Sequence, residues 1–175
     1  MGSTALDDLS ERLGAAVLTD PEAIAPYARD TSRATPEGEP IAVVLAASTE
    51  DVSAALAWAS AHGVRVSVRG AGTGLAGGAV GYPGGLVVSL ERMTRIIATG
   101  PAHRPAAAAA GVLPAALDRA APQHGLSLPP DPARARIPPV GGTLATPAGG
   151  PPRLPPDVPT PSFAGLPIRP AHLPA

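Results

Sequence analysis

The chain has 175 residues, a net charge of −1 and no cysteine. That length fits one domain, or one domain with part of a second, and the near-zero charge gives no electrostatic reason to expect nucleic acid as a partner. The absence of cysteine excludes disulfides and thiolate-bound metal clusters, and because all thirteen basic residues are arginine, the lysine-dependent Walker phosphate loop is excluded too.

The first twenty residues are predicted to form an N-terminal helix. Leu6, Leu9 and Leu13 lie on one helical face, and Gly14 follows as a stop. This segment has no basic stretch ahead of an apolar one, and no apolar run in the chain reaches the roughly 18 residues of a membrane span. We therefore expect a cytoplasmic protein that does not cross a membrane.

Residues 21–100 carry the pattern of a small α/β layer. Asp20 and Pro21 predict the start of a short helix, and the apolar residues 41–45 predict a buried strand. A clear helix is expected after Ser48, whose hydroxyl precedes acidic residues in the first turn. The next segment alternates valine with arginine or serine up to residue 69, which predicts a half-buried strand with its valines towards the core. A further strand is predicted at residues 86–90.

Proline divides the chain unevenly, with five in residues 1–100 and nineteen in residues 101–175. The five consecutive alanines at 106–110 predict a weak strand at best, and residues 112–121 predict a short helix bounded by prolines. Nine of the last twenty-five residues are proline, with no apolar period. Residues 151–175 are therefore expected to form a disordered tail that adds nothing to a core.

The densest glycine segment follows the alternating strand. Eight of the sixteen residues from 70 to 85 are glycine, and because glycine has no Cβ, such a run can point several backbone N–H groups at one anion. Gly72, Gly74 and Gly77 satisfy the GxGxxG pattern, but no amphipathic helix can start among the glycines and the proline that follow. The dinucleotide site of the Rossmann fold is therefore excluded, and a diphosphate would be held by the backbone of an extended loop.

The sequence RGAGTGLAGGAV at residues 69–80, placed between two strands, resembles the diphosphate loop of flavin-linked oxidases of the vanillyl-alcohol oxidase and p-cresol methylhydroxylase (PCMH) type. Within that group the chain is most similar to the D-lactate dehydrogenase and glycolate oxidase flavin-subunit branch. Further pieces match in order, including residues 40–44 and 48–52, SLERM at 89–93 and PPDP at 129–132. The resemblance implies an α+β fold: a partial PCMH-type FAD-binding domain at residues 21–150, with a complete small α/β subdomain and a truncated second subdomain.

The resemblance also implies where FAD would bind. The glycine loop would wrap the diphosphate, and later glycines would approach the ribityl chain and the flavin ring. The cofactor-binding residues expected on this basis are Arg69, Gly70, Ala71, Gly72, Thr73, Gly74, Leu75, Gly77, Gly78, Pro130, Asp131, Gly141, Gly142, Thr146, Ala148, Gly149 and Gly150. Arg69 is the one charge beside the expected diphosphate, and the alternative for it is a solvated arginine at a strand end. No histidine or cysteine lies beside these loops, so FAD would be bound non-covalently.

Other polar and aromatic residues are expected to be structural. Trp58 and Tyr27 are predicted to pack against the core, and Asp30 is predicted to be a cap or surface acid. No histidine pair has metal-binding spacing. Neither a catalytic residue nor a metal site is therefore expected in this chain.

The chain departs from the family pattern at its later positions. Pro147 stands where the family has asparagine, and Ala133 stands where it usually has serine. The resemblance stops at Gly150, before the family's substrate domain. We interpret this as a truncation in which residues 151–175 are an out-of-frame reading of GC-rich DNA.

Two functions remain open from the sequence. The resemblance implies the FAD-binding module of a flavin-dependent oxidoreductase that acts on the CH–OH group of D-2-hydroxyacids such as lactate or glycolate, with the substrate domain missing. The alternative is a catalytically silent fragment that binds a nucleotide weakly or not at all. It is kept because no residue of the chain can be named that positions a substrate against the flavin.

Overall fold

The computed structural model describes residues 3–34, 38–100, 103–120 and 139–145. This part of the chain contains five helices and six strands, with a single 3₁₀ turn after each of the first two helices. In chain order the elements are α1 (Ser3–Leu13), β1 (Val17–Leu18), α2 (Pro21–Ile24), β2 (Ala42–Leu45), α3 (Thr49–Ala61), β3 (Val66–Arg69), β4 (Leu86–Ser89), β5 (Ile96–Gly100), β6 (His103–Ala108), α4 (Pro114–Ala120) and α5 (Val140–Ala145).

The main sheet has four strands in the order β1-β2-β4-β3. β4 lies between β2 and β3 and pairs with both in parallel, with Val87 opposite Val43 on one side and opposite Ser67 on the other. β1 pairs with β2 in antiparallel fashion. The α/β layer predicted for residues 21–100 is thus present, and its third parallel strand inserts between the first two.

Both faces of this sheet are buried, as is usual where strands run parallel. On one face, Leu9 of α1 and Trp58 of α3 pack against Val44 and Val88. On the other face, Val43, Leu45 and Val87 form a smaller cluster with Ile24 of α2. Trp58 is a packing residue, as predicted, and Tyr27 packs against the second cluster.

The helix ends follow from local chemistry. Asp20 caps α2 by accepting the N–H groups of Glu22 and Ala23, with Pro21 in the first turn. Ser48 and Asp51 form a reciprocal capping box at α3, in which each side chain accepts the backbone N–H of the other residue. These caps explain why both helices begin where the sequence predicts.

Two features of the main sheet differ from the sequence-based expectation. Strand β1 was not predicted, and it makes residues 1–20 part of the sheet as well as the site of α1. The alternation predicted for β3 holds only in part, because Val66 packs against the core cluster as expected, whereas Ser67 is 4% exposed and Val68 is 50% exposed. β3 is the edge strand, and Val68 does not reach the cluster formed by α1 and α3.

The second sheet is a hairpin of β5 and β6, with Ile96 opposite Ala108. The weak strand expected at the alanine run is therefore a paired strand that begins at His103, because backbone hydrogen bonds do not depend on the side chain. α4 agrees with the predicted helix, whereas α5 was not predicted. Within the ranges that the structure describes, no helix has the length and apolar character needed to cross a membrane.

Replacing Trp58 with alanine tests the packing of α1 on α3. The Trp58 side chain is 2% exposed, and its indole N–H donates to the carbonyl oxygen of Ala5 at 2.9 Å. We expect Trp58→Ala to lower the free energy of unfolding by about 3–5 kcal/mol. Trp58→Phe should lower it by about 1–3 kcal/mol, because it mainly leaves the Ala5 carbonyl oxygen without its hydrogen bond. Urea unfolding followed by circular dichroism measures both; an unchanged midpoint for Trp58→Ala would contradict this packing.

Candidate functional site

The glycine loop, residues 70–85, connects β3 to β4. These two strands are parallel neighbours, so the loop must return from the carboxyl edge of the sheet to its amino edge. It does so without forming a helix. This agrees with the exclusion of the Rossmann type of site, in which a helix N-terminus holds the phosphates.

Glycine serves two different purposes in this loop. Gly72 and Gly77 have φ values of 68° and 76°, in the left-handed region where a side chain is disfavoured. Gly74 and Gly78 do not have positive φ, and a Cβ added to either would meet no atom within 4 Å. The chain by itself does not require glycine at 74 and 78, whereas a ligand that lies directly against the backbone would require it.

Residues 28–34, here called the support segment, lie against the glycine loop. Thr31 donates both its backbone N–H, at 3.0 Å, and its hydroxyl, at 3.1 Å, to the carbonyl oxygen of Gly72. The carbonyl oxygen of Ala28 accepts the N–H of Gly81 at 3.0 Å. The support segment is therefore bonded to the beginning and to the end of the glycine-rich stretch.

Asp30 makes the central contact of the support segment. One carboxylate oxygen accepts the backbone N–H and the hydroxyl of Ser32. The other oxygen accepts the N–H of Ala79 at 3.3 Å. Asp30 therefore caps the turn at Ser32 and, beyond the cap or surface role expected from the sequence, bridges the support segment to the loop.

The charge state of Asp30 follows from these contacts. Burial raises the pKa of its carboxyl, but the hydrogen bonds from Ser32 and Ala79, together with the positive charge of Arg69, outweigh burial and hold the pKa below its usual range. Asp30 is therefore an ionised carboxylate at neutral pH. Its negative charge is directed at donors of the protein.

Arg69 lies at the start of the loop, half-buried rather than solvated. Its guanidinium donates to the carbonyl oxygen of Arg29 and lies 5.8 Å from the centre of the Tyr27 ring. It also covers Gly72, where an added Cβ would fall about 2.3 Å from it. The Tyr27 hydroxyl donates to Glu91 at 2.8 Å, and burial first, then Glu91, raises the pKa of Tyr27. Arg69 is therefore held beside the loop backbone.

A cleft of about 220 Å³ opens beside the first residues of the loop. Its lining residues are Gly70, Ala71, Glu91, Thr94, Gly111, Leu113 and Pro139. Gly70 lies so close to Pro139 that an added Cβ would stand 2.8 Å from the proline ring. The cleft therefore lies between the glycine loop and the segment that leads into α5.

The second glycine stretch begins next to this cleft, at Gly141, two residues after the lining residue Pro139. Gly141 donates its N–H to Ala110 at 2.9 Å, and an added Cβ at Gly141 would stand 2.8 Å from the Ala110 side chain. At Gly111 an added Cβ would fall 2.0 Å from the carbonyl oxygen of Leu90. Backbone segments from three parts of the chain can pack this closely only because these positions lack side chains.

The predicted cofactor residues divide into two groups. Arg69 is the last residue of β3, those in the range 70–78 lie on the glycine loop, with Leu75 78% exposed, and Gly141 and Gly142 lie in the first turn of α5. The others lie outside the described residues: Pro130, Asp131, Thr146, Ala148, Gly149 and Gly150. The described ranges contain no cluster of side chains able to hold a metal ion.

Comparisons with known proteins agree with this geometry. The sequence profile of a family described as "FAD binding domain" matches residues 40–156, which is most of the chain. The chain belongs to this FAD-binding domain family. FAD is accordingly the cofactor of the domain, and the recognition made from the glycine loop is confirmed.

The curated relatives are longer proteins. The chain is 46% identical over 112 residues to a D-lactate dehydrogenase of Archaeoglobus fulgidus, covering 64% of this chain and 25% of that protein. It is 41% identical over 133 residues to a D-2-hydroxyglutarate dehydrogenase of Xanthomonas citri pv. viticola, covering 75% of this chain and 28% of that protein. The FAD-binding domain described here thus spans about a quarter of the length of these relatives.

Solved structures confirm the expected fold class. An alkyldihydroxyacetonephosphate synthase superposes with a TM-score of 0.75 at 20% identity, over 86% of this chain and 30% of that one. A p-cresol methylhydroxylase with substrate bound superposes with a TM-score of 0.67 at 22% identity, over 81% of this chain and 28% of that one. The α+β, PCMH-type fold of the FAD-binding domain is therefore correct.

The sequence analysis missed the support segment. Asp30 and Ser32 have the spacing of a local turn in which an Asp side chain binds backbone N–H groups, and that is one of their roles. Their contact with the loop joins residues 49 positions apart. No local pattern indicates such a contact.

Acidification should weaken the bridge made by Asp30. Because its pKa is lowered on folding, its contribution to stability is fully present above the unfolded-state value of about 4 and is lost as the pH falls through the folded-state value. We expect the urea midpoints of the wild type and Asp30→Asn to differ at about pH 6, and this difference to shrink as the pH falls below about 4. Arg69 stays charged across this range. A difference independent of pH would show that Asp30 is not ionised in the folded protein.

Proposed function

We propose that this chain supplies the diphosphate-binding part of the FAD site in a flavin-dependent dehydrogenase of D-2-hydroxyacids. The observation that carries the proposal is the open backbone at Gly74 and Gly78, in a loop whose ends are fixed by hydrogen bonds. A diphosphate lying there would explain two glycines that the chain alone does not need. Arg69 contributes a positive charge at the start of the same loop.

The described residues fit one part of FAD rather than all of it. The cleft beside Gly70 measures about 220 Å³, below the roughly 300–1,000 Å³ of ordinary small-molecule sites. A dinucleotide would therefore extend from this cleft along the exposed side of the glycine loop. Gly141 and Gly142 are proposed to approach the part of FAD that enters the cleft, together with the predicted residues at 130–131 and 146–150.

The residues of this chain bind and orient the cofactor. When bound, FAD supplies the redox chemistry, and the protein sets its position and environment. Backbone N–H groups of the loop would face the diphosphate, because main-chain donors on consecutive glycines can converge on an anion. Residues 69–81 include neither histidine nor cysteine, so we propose that FAD is held without a covalent bond.

The substrate class is inferred from the relatives. The two named above act, by their names, on D-lactate and D-2-hydroxyglutarate, which share a hydroxyl on the carbon next to a carboxylate. We propose a substrate of this type for the complete site. The cytoplasmic location and the absence of a nucleic-acid partner stay predictions.

A ligand series tests binding through the diphosphate. FAD and ADP both carry a diphosphate, whereas riboflavin carries none. We expect the purified chain to bind FAD, ADP to displace it, and riboflavin to bind at least about tenfold more weakly, a difference of about 1.4 kcal/mol. Quenching of flavin fluorescence measures all three. Colourless protein that takes up no added FAD would favour the silent-fragment alternative, and equal binding of riboflavin would contradict the diphosphate assignment.

Matched glycine variants test the loop itself. Gly72 and Gly63 have φ values of 68° and 65°, so the backbone strain of alanine should be similar at the two positions, about 1–2 kcal/mol. In Gly72→Ala, the new Cβ would also displace the guanidinium of Arg69. We expect about tenfold weaker FAD binding in Gly72→Ala and unchanged binding in Gly63→Ala, which follows α3 and has open space around it. Equal FAD affinity in the two variants would remove Gly72 from the site.

A further inference from the structure

We propose that Asp30 is a positioning residue for FAD, which sets the shape of the diphosphate-binding loop from the side opposite to the ligand. This inference rests on the proposed function. Asp30 does not contact the cofactor in this proposal. It acts through the Ala79 N–H, while its neighbour Thr31 acts through the Gly72 carbonyl.

The support segment is bonded to two limbs of the glycine loop, the first at Gly72 and the second at Ala79. Thr31 makes two hydrogen bonds to the carbonyl oxygen of Gly72. Asp30 accepts the N–H of Ala79 at 3.3 Å. Gly74 and Gly78, whose backbone is open to a ligand, lie between these two points of attachment. The spacing of the two limbs is therefore set by one short turn of the support segment.

The loop needs such a support because of its composition. Glycine loses more conformational freedom on ordering than any other residue, and the cost of ordering falls on binding unless the loop is ordered beforehand. The helix that orders the phosphate-binding backbone in Rossmann proteins is absent between β3 and β4. The contacts from residues 28–34 take over that role.

A carboxylate suits the position of Asp30 better than an amide. Asp30 is the acceptor in all three of its hydrogen bonds: one oxygen accepts two donors of Ser32, and the other accepts the N–H of Ala79. Asparagine would place an NH₂ group against one of these donors, because only one of its two terminal atoms accepts. The amide oxygen should keep the side with two donors, so the NH₂ group would face Ala79, and Asp30→Asn should lose the bond to the loop although the two side chains have the same size.

Asp51 provides a matched control. Its carboxylate also accepts two backbone N–H groups, from Ala47 at 2.9 Å and Ser48 at 3.1 Å, but these bonds stay within the cap of α3. Asp51→Ala should therefore lower the melting temperature without changing the loop. Thr31→Val is a milder variant of the support segment, because it removes the hydroxyl bond to Gly72 and leaves the backbone bond in place.

The experiment measures two quantities on the full 175-residue chain. The dissociation constant for FAD is determined by fluorescence for the wild type, Asp30→Ala, Asp30→Asn, Thr31→Val and Asp51→Ala. The amide exchange rate of Ala79 is determined by NMR on the same proteins without FAD. We expect both Asp30 variants to bind FAD about tenfold or more weakly, Thr31→Val to lie between them and the wild type, and Asp51→Ala to bind as the wild type does. Exchange at Ala79 should accelerate in the Asp30 variants alone.

The outcomes separate this inference from the proposed function. Asp30 variants that bind FAD as tightly as the wild type would overturn the inference and leave the proposed function standing. The inference would also be overturned if FAD affinity fell in proportion to melting temperature in all variants, so that Asp51→Ala lost as much affinity as the Asp30 variants. If the wild type binds no FAD, the proposed function fails, and unchanged exchange at Ala79 in Asp30→Ala would then show that Asp30 does not shape the loop either.

Discussion

The structure depends on one topological constraint, the parallel pairing of β4 with both β2 and β3. Parallel neighbours need a long connection, and the one between β3 and β4 has to run back along the sheet without a helix to satisfy its backbone. The polar groups of that connection are instead satisfied at fixed points by the support segment. What remains open between those points is a stretch of main chain accessible to an anion.

Much of the sheet could be predicted because its determinants are local. The capping box at Ser48, the cap at Asp20 and the apolar run at residues 41–45 each act within a few residues. The burial in β3 could not be predicted this way, because alternation does not say which strand lies at the edge. Val68 is exposed and Ser67 buried as a result of strand order, which depends on where β4 inserts. The two-residue strand β1 is too short to leave a pattern.

In the candidate site, too, the features with local determinants could be predicted and those that depend on distant contacts could not. The glycine loop was found because it is marked by residue type: glycine is favoured at the positive φ of Gly72, and it leaves the backbone bare at Gly74. The support segment was missed because Asp30 and Thr31 are ordinary turn residues whose importance lies in a partner far along the chain. Arg69 was predicted beside the loop, but its anchor on the carbonyl of Arg29 depends on the same long-range contact. The cleft, too, forms only where residues 70, 111 and 139 converge.

The position of β3 at the sheet edge also bears on the order of folding. Among the described strands β3 pairs only with β4, and the two are separated in sequence by the glycine loop alone. That loop closes in the same step in which β3 joins the sheet. Loop closure costs entropy before any strand contact compensates for it, so docking of β3 on β4 and closure of the glycine loop are coupled to each other.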